Sequence, residues 1–254
     1  MTAKFLFDVD GVLCDRGQPI NDQFRWWLED FLIDKEYYLV TGSPRNKTMG
    51  QIGERLTMGS KIGFHCLGNS IWTENGYEVV VNQFTFSENE LAHIRGFYER
   101  SIYHAKQPWE DVLEDRPGSV NFSFVKRGAD LEHRQSFIEY DNLYKERENF
   151  VRQLNNAYPR FDCYLGGDCS IDIVLRGANK GQIFSWDFNP LEQHYFFGDR
   201  CEQYGIDKPL HDCILSSVPP RESTQPRLDG YSHSFVIKEG YKETWEILKS
   251  LKTE

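Results

Sequence analysis

An α/β fold built on a parallel sheet, interrupted once by an inserted α+β domain, is what this 254-residue sequence predicts. Three observations lead there. Over residues 4–56 short apolar runs alternate with helical periodicities, the pattern of parallel strands joined by crossover helices. Between about 82 and 176, alternating strands and charged helices suit an antiparallel sheet instead. From about 177 the first style returns. The expected organisation is therefore a core over 1–81 and 177–254, with an inserted domain over 82–176.

The elements follow in order. "KFLF" reads as a short buried strand. "NDQFRWWLEDFLI" places Phe24, Trp27, Leu28 and Phe31 at helical spacing, with Asn21 as N-cap, and assigns the aromatic stripe of Trp26, Trp27 and Phe31 to core packing. "EYYLVTGS" is a second buried strand ending in a turn. "PRNKTMGQIGERL" is a helix with Pro44 at its start. In the insertion, "FSENELAHIRGFYERSIY" opens with Ser87 and Glu90 as a capping box. "SVNFSFVKR" is a strand, "KERENFVRQLNNAY" a helix, and "RFDCYLGG" and "SIDIVLR" are strands. The core resumes with a helix at "NKGQIFSWDF", a buried strand at "HYFFGD", a strand near "HDCILSS" and a closing helix at "YKETWEILKSL". "SSVPPRESTQPRLDG" reads as a surface loop.

Charge and composition exclude several classes. The net charge of −10 argues against nucleic acid and anionic membranes as partners. Residues 95–160 carry as many basic as acidic side chains, so this stretch can approach an anionic substrate within an otherwise acidic chain. Cys14, Cys66, Cys163, Cys169, Cys201 and Cys213 show no CxxC or zinc-ligand spacing, and are expected to be reduced thiols. The N-terminus reaches Asp8 too soon for a signal peptide, and no apolar run approaches a membrane span. A soluble, cytoplasmic protein is expected.

In open α/β sheets, chemistry gathers at the carboxyl ends of the strands. Asp8 and Asp10 follow the first strand, Thr41-Gly42-Ser43 the second, and Asp199 the "HYFFG" strand. Asp207 lies a short loop later, and Lys180 opens the helix before that strand. Asp8 and Asp10 alone could be turn residues, calcium ligands, or a nucleophile and its acid. Four carboxylates converging without a counter-charge repel one another, so a hard cation such as Mg²⁺ is expected. A carboxylate so screened can attack a phosphoryl group, and a second carboxyl two residues on can handle the proton. Lysine and hydroxyls can hold the transferring oxygens.

"DVDGV", "TGS", "NK" and "FFGD", in this order, resemble the four motifs of the haloacid-dehalogenase-like phosphotransferases. The resemblance implies a Rossmann-like core of the haloacid-dehalogenase type carrying a cap domain. It implies Asp8 as nucleophile, Asp10 as general acid/base, Thr41 or Ser43 as phosphate ligand and Lys180 as charge stabiliser. It implies Mg²⁺ held by Asp8, the Asp10 carbonyl and Asp199, with Asp207 in support; Asp212 is a nearby alternative. Val12 stands where the family usually has Thr, at a position with no expected chemistry.

The inserted stretch resembles the cap of eukaryotic-type phosphomannomutases. Arg116, Asn121, Arg127 and Arg134 keep that family's intervals, and Gly166-Gly167, Ser170 and Asp172 keep its later pattern; "TENG" at 73–76 resembles its entry to the cap. The resemblance covers nearly the whole chain, most strongly at 5–13, 116–141, 164–180 and 195–199. Arg127 and Arg134 suit a clamp on the phosphate that is not being transferred, aided by Ser170; Arg116, Asn121 and Asp172 can bond sugar hydroxyls. Two departures concern the site: the family's arginine after the first strand aligns with Gly17, Arg16 being one residue off, and its Asn-Asp pair becomes Ile206-Asp207. The stretch 217–229 resembles an insertion.

The expected function is Mg²⁺-dependent phosphoryl transfer on hexose phosphates, mannose 6-phosphate to mannose 1-phosphate. The resemblance also implies a hexose 1,6-bisphosphate activator and a homodimer through the cap. A sugar-phosphate phosphatase would use the same residues with water as acceptor, and Arg16 and Ile206 lean that way. A non-catalytic sugar-phosphate-binding protein is disfavoured by the intact Asp8, Asp10, Lys180 and Asp199.

Overall fold

The computed structural model describes residues 3–186, 192–216 and 232–252. The first strand, β1 (Lys4–Phe7), alternates its side chains across a sheet buried on both faces. Phe5 and Phe7 join the cluster formed with α1 (Asp22–Phe31) and α8 (Tyr241–Lys252). Leu6 points the other way, toward Leu210 and Ile214 of α7 (Lys208–Ser216). Burial on both sides explains why this strand reads as a continuous apolar run.

Seven strands form the large sheet. β1 pairs in parallel with β2 (Glu36–Val40) on one side and β10 (His194–Gly198) on the other. β3 (Ile62–His65) extends the sheet beyond β2, and β11 (His233–Val236) lies parallel to β10 at the opposite edge. β4 (Ser70–Thr73) and β5 (Glu78–Val80) close the β3 side as an antiparallel pair, with "TENG" in their connecting turn. The order β11-β10-β1-β2-β3-β4-β5 makes β1 the strand from which the chain departs in both directions. The carboxyl end of such a strand opens onto a crevice, and Asp8 stands there.

A second, four-stranded antiparallel sheet has the order β6-β7-β9-β8: β6 (Leu113–Arg116), β7 (Ser119–Ser123), β9 (Ser170–Leu175) and β8 (Phe161–Leu165). The helices α4 (Glu88–Arg100), α5 (Leu131–Tyr144) and α6 (Glu146–Ala157) belong to this part of the chain, and Phe122, Phe124, Phe137 and Phe150 form its core. Ser87 caps α4 in the expected reciprocal box with Glu90.

Several local expectations are corrected. "HDCILS", the described part of the expected strand, is not a strand but most of α7, because Leu210 and Ile214, four residues apart, bury one helical face. The helix expected at "PRNKTMGQIGERL" is two, α2 (Arg45–Ile52) and α3 (Glu54–Met58), broken at Gly53, whose φ of +86° suits glycine alone. "NKGQIFSWDF" begins as a 3₁₀ turn over Lys180–Ser185, and its last two residues lie outside the described residues, as does nearly all of the expected loop at 216–230. Trp26 is exposed rather than in the core, while Phe31 is buried and stacks on Trp27. Among the described residues all six cysteines are unbridged, and none of the helices is long and apolar enough to cross a membrane.

Candidate active site

Three strand ends and one turn assemble the site. Lys180 is wholly buried, and its Nζ lies 3.0 Å from Asp8 Oδ1 and 2.6 Å from Asp207 Oδ1. The turn that delivers it starts at Asn179, whose side chain accepts from the Gly181 amide. Asp207 uses its other oxygen to accept from the Asp199 and Arg200 amides, both at 3.0 Å, and so fixes the loop after β10. Asp212 instead pairs with Lys208 on the exposed side of α7.

Asp8, Asp199 and Asp207 each bring a carboxylate oxygen within 4.8 Å of the others. Burial, with the charges of Asp207 and Asp199, pushes the Asp8 carboxyl up to about 8 against the pull of Lys180. Burial and Asp207 likewise raise Asp199, to about 6, against Arg16. Burial by itself would lower the pKa of Lys180, but the two carboxylates outweigh burial and raise it. Three buried carboxylates sharing few cations, with all-oxygen donors, fit a hard divalent ion such as Mg²⁺.

Asp10 has different company. Its Oδ1 accepts from Gln51 Nε2 at 2.7 Å and from the Gly17 amide at 2.8 Å; its Oδ2 accepts from Lys47 Nζ at 2.8 Å and from Ser43 Oγ at 3.4 Å. Burial tends to raise this carboxyl, but Lys47 and the hydrogen bonds prevail and hold it below the usual carboxylate range. Asp8 and Asp10, two residues apart, thus have opposite electrostatic surroundings, burial and neighbouring carboxylates raising the first and Lys47 with the hydrogen bonds lowering the second. The buried Thr41 accepts from the Ser43 amide through Oγ1 at 3.1 Å. At Gly42 a Cβ would come within 2.7 Å of Ile206 Cδ1, so a larger residue there requires the Ile206 side chain to shift.

Across a cavity of about 540 Å³ stand Arg116, Asn121, Arg127, Arg134, Ser170 and Asp172 from the second sheet and its surroundings. Asp172 is buried and accepts from Asn121 Nδ2 at 2.8 Å. Burial raises its carboxyl, with Arg116 and Asn121 opposing. Arg116 reaches over the cavity to donate to the Gly42 carbonyl at 3.0 Å. Arg127 is engaged through each nitrogen: Glu114, the Asp111 carbonyl, and both oxygens of Asn121. It braces Asn121 and shares Glu114 with Arg116. Arg134, on α5, and Ser170 line the cavity.

Ile206 is not part of the polar shell. It packs with Leu67, Val174 and Ala178, where the two sheets meet. Arg16, beside the unfilled glycine position, turns to Asp199 and Asp168. Lys47, Gln51, Glu114, Asp168 and Arg200 escaped the sequence reading. Only Lys47 carried a signal, one helical turn after Ser43.

The family model described as eukaryotic phosphomannomutase matches residues 38–216. A probable phosphomannomutase of Caenorhabditis elegans is 25% identical over 215 residues, covering 80% of this chain and 83% of the relative. Among solved structures, the C-terminal domain of a C. albicans trehalose-6-phosphate phosphatase superposes with a TM-score of 0.67 at 14% identity, covering 99% of this chain and 92% of that one. A haloacid dehalogenase-like hydrolase from Bacteroides thetaiotaomicron gives a TM-score of 0.58 at 10% identity, covering 99% and 100%. These two likenesses concern the fold.

Proposed function

Since the chain belongs to the eukaryotic phosphomannomutase family, and so to the phosphotransferases, we propose that it moves a phosphoryl group between C6 and C1 of a hexose through an aspartyl-phosphate on Asp8. One observation carries this reading. The buried Asp8–Lys180–Asp207 group faces, across a single cavity, Arg116, Asn121, Arg134 and Ser170. We take residues 82–176 as the cap and 1–81 with 177–254 as the core.

In this mechanism an Asp8 oxygen attacks phosphorus, the bond to the sugar oxygen breaks, and Asp10, which must first take up a proton as substrate binds, delivers it to that oxygen. Lys180 fixes the Asp8 carboxylate and carries charge next to the transferring oxygens; Thr41 and Ser43 lie at the same strand end. Asp8 and Asp199, with Asp207 behind them and the Asp10 carbonyl nearby, would hold Mg²⁺, which when bound screens the attacking carboxylate and the phosphoryl charge. In the other half the free hydroxyl of a hexose monophosphate attacks the phosphorus on Asp8, the bond from phosphorus to Asp8 breaks, and the hydroxyl proton goes to Asp10, which yields the bisphosphorylated sugar. Arg134 and Ser170 then bind the phosphate not in transit, while Arg116, Asn121 and Asp172 meet sugar hydroxyls.

A phosphatase is the second reading, favoured by Arg127. Its nitrogens are occupied by Glu114, Asp111 and Asn121, which leaves the second phosphate with one cap arginine fewer. Incubation with Mg²⁺ and mannose 1-phosphate, with and without glucose 1,6-bisphosphate, separates the two. Hexose 6-phosphate formed only with the bisphosphate supports the mutase; free phosphate as the main product supports the phosphatase. Asp8→Asn should lower turnover by about 10⁴-fold or more with an unchanged circular-dichroism spectrum, and retained activity ends the aspartyl-phosphate mechanism.

A further inference from the structure

We propose that Asp168 is a clasp that holds the inserted domain shut over the site, and so decides how much of the aspartyl-phosphate passes to a sugar hydroxyl rather than to water. The partition rests on the function proposed above; the clasp does not.

Asp168 sits in the turn between β8 and β9, directly after Gly166-Gly167. Its Oδ1 accepts from Arg16 Nη1 at 2.5 Å and from Arg200 Nη2 at 3.1 Å. Arg16 comes from the loop after β1 and Arg200 from the loop after β10, neighbouring strands of the large sheet. One carboxylate of the second sheet therefore gathers two cations from the core. Arg200 also donates to the Gly167 carbonyl at 3.4 Å, and the Leu165 amide of edge strand β8 donates to the Tyr204 carbonyl at 2.7 Å. Arg116 crosses the cavity to Gly42 from the opposite rim.

The exposure of these groups decides their weight. The side chains of Asp168, Arg16 and Arg200 are 21%, 30% and 16% exposed, so the pairs are partly removed from solvent screening. Loss of Asp168 removes the carboxylate that hydrogen-bonds both guanidinium groups. Arg16 also donates through Nε to Asp199 at 2.9 Å, which ties the closed position of the turn to a carboxylate of the reaction centre.

Closure matters because the two acceptors use the same bonds. In transfer, a sugar hydroxyl oxygen bonds to phosphorus, the bond from phosphorus to Asp8 breaks, and the hydroxyl proton goes to Asp10. In hydrolysis, a water oxygen bonds to phosphorus, the same bond breaks, Asp10 takes one water proton, and inorganic phosphate leaves. What distinguishes them is whether water reaches phosphorus, and a shut cap excludes it.

The test compares wild type with Asp168→Asn, Asp168→Glu and Arg200→Met. Hydrogen exchange is followed at the Leu165 amide, and the ratio of free phosphate to hexose 6-phosphate is measured with Mg²⁺, mannose 1-phosphate and glucose 1,6-bisphosphate. Asp168→Asn is expected to speed exchange at the Leu165 amide and to raise the phosphate ratio about tenfold. Arg200→Met should move both readouts the same way, and Asp168→Glu should return them toward wild type, which a loss of packing alone would not allow. Unchanged exchange in Asp168→Asn overturns the clasp. Faster exchange with an unchanged product ratio overturns its part in partition. Exchange needs no turnover, so the clasp is decided even if the wild type converts no hexose phosphate, a result that would remove the proposed function instead.

Discussion

Lys180 is a charged side chain with no exposed surface, held between Asp8 and Asp207. Desolvating such a group offsets most of the Coulomb gain, so the ion pairs are weak grounds for stability; the cost appears when one partner is removed. Lys180→Met should therefore destabilise the fold by about 3–5 kcal/mol in urea unfolding, by leaving two buried carboxylates uncompensated. A loss of activity with full stability would mean that Asp8 and Asp207 relax or protonate at little cost. Lys180 could be picked out in the sequence because it opens a helix at a fixed place before the "FFGD" strand. The surroundings of Asp10 could not. Lys47 and Gln51 lie one and two helical turns beyond Ser43, and their reach to Asp10 depends on how α2 docks on the end of β1.

Helix α4 illustrates an element whose sequence and structure agree in detail. Ser87 and Glu90 satisfy each other's backbone amides, and Glu90 also accepts from Arg160 Nε at 2.7 Å. Arg160, with Ser87 and against burial, holds the Glu90 carboxyl below its usual range. A depressed carboxyl stabilises the fold above its unfolded pKa, near ~4.3, and that contribution disappears as pH falls through the folded value. Glu90→Gln should cost about 1 kcal/mol at pH 7, with the gap to wild type closing below about pH 4; equal urea midpoints at neutral pH would remove the cap from the account. Helix α7 shows the reverse. "CILSS" is apolar and β-branched enough for a strand, and a short run cannot tell the two apart until a partner surface selects Leu210 and Ile214. The edge strand β11 went unread for a related reason: its side chains are only partly buried, so "HSFV" lacks a clear apolar alternation.

At the scale of the whole molecule, the two sheets meet around a small apolar knot of Leu67, Val174, Ala178 and Ile206. Ile206 stands where the resemblance places an asparagine, and its position in the fold makes it a packing residue at the junction. Ile206→Asn, which restores the family's residue type, should cost about 2–4 kcal/mol through lost burial and an unpaired amide. A neutral effect on urea unfolding would show that the site has room and partners for a polar group.

The order of motifs, the interrupted α/β pattern and the residue types at the strand ends are properties of the sequence alone, because hydrophobic period and turn chemistry are local and strand ends are where such a sheet exposes its chemistry. Tertiary structure alone decided that Arg127 braces Asn121, that Arg16 and Arg200 meet at Asp168, and that Ile206 seals a junction. Charge pairing and packing depend on distances between segments far apart in the chain. The positions along the sequence do not encode those distances; the docking of one sheet on the other does.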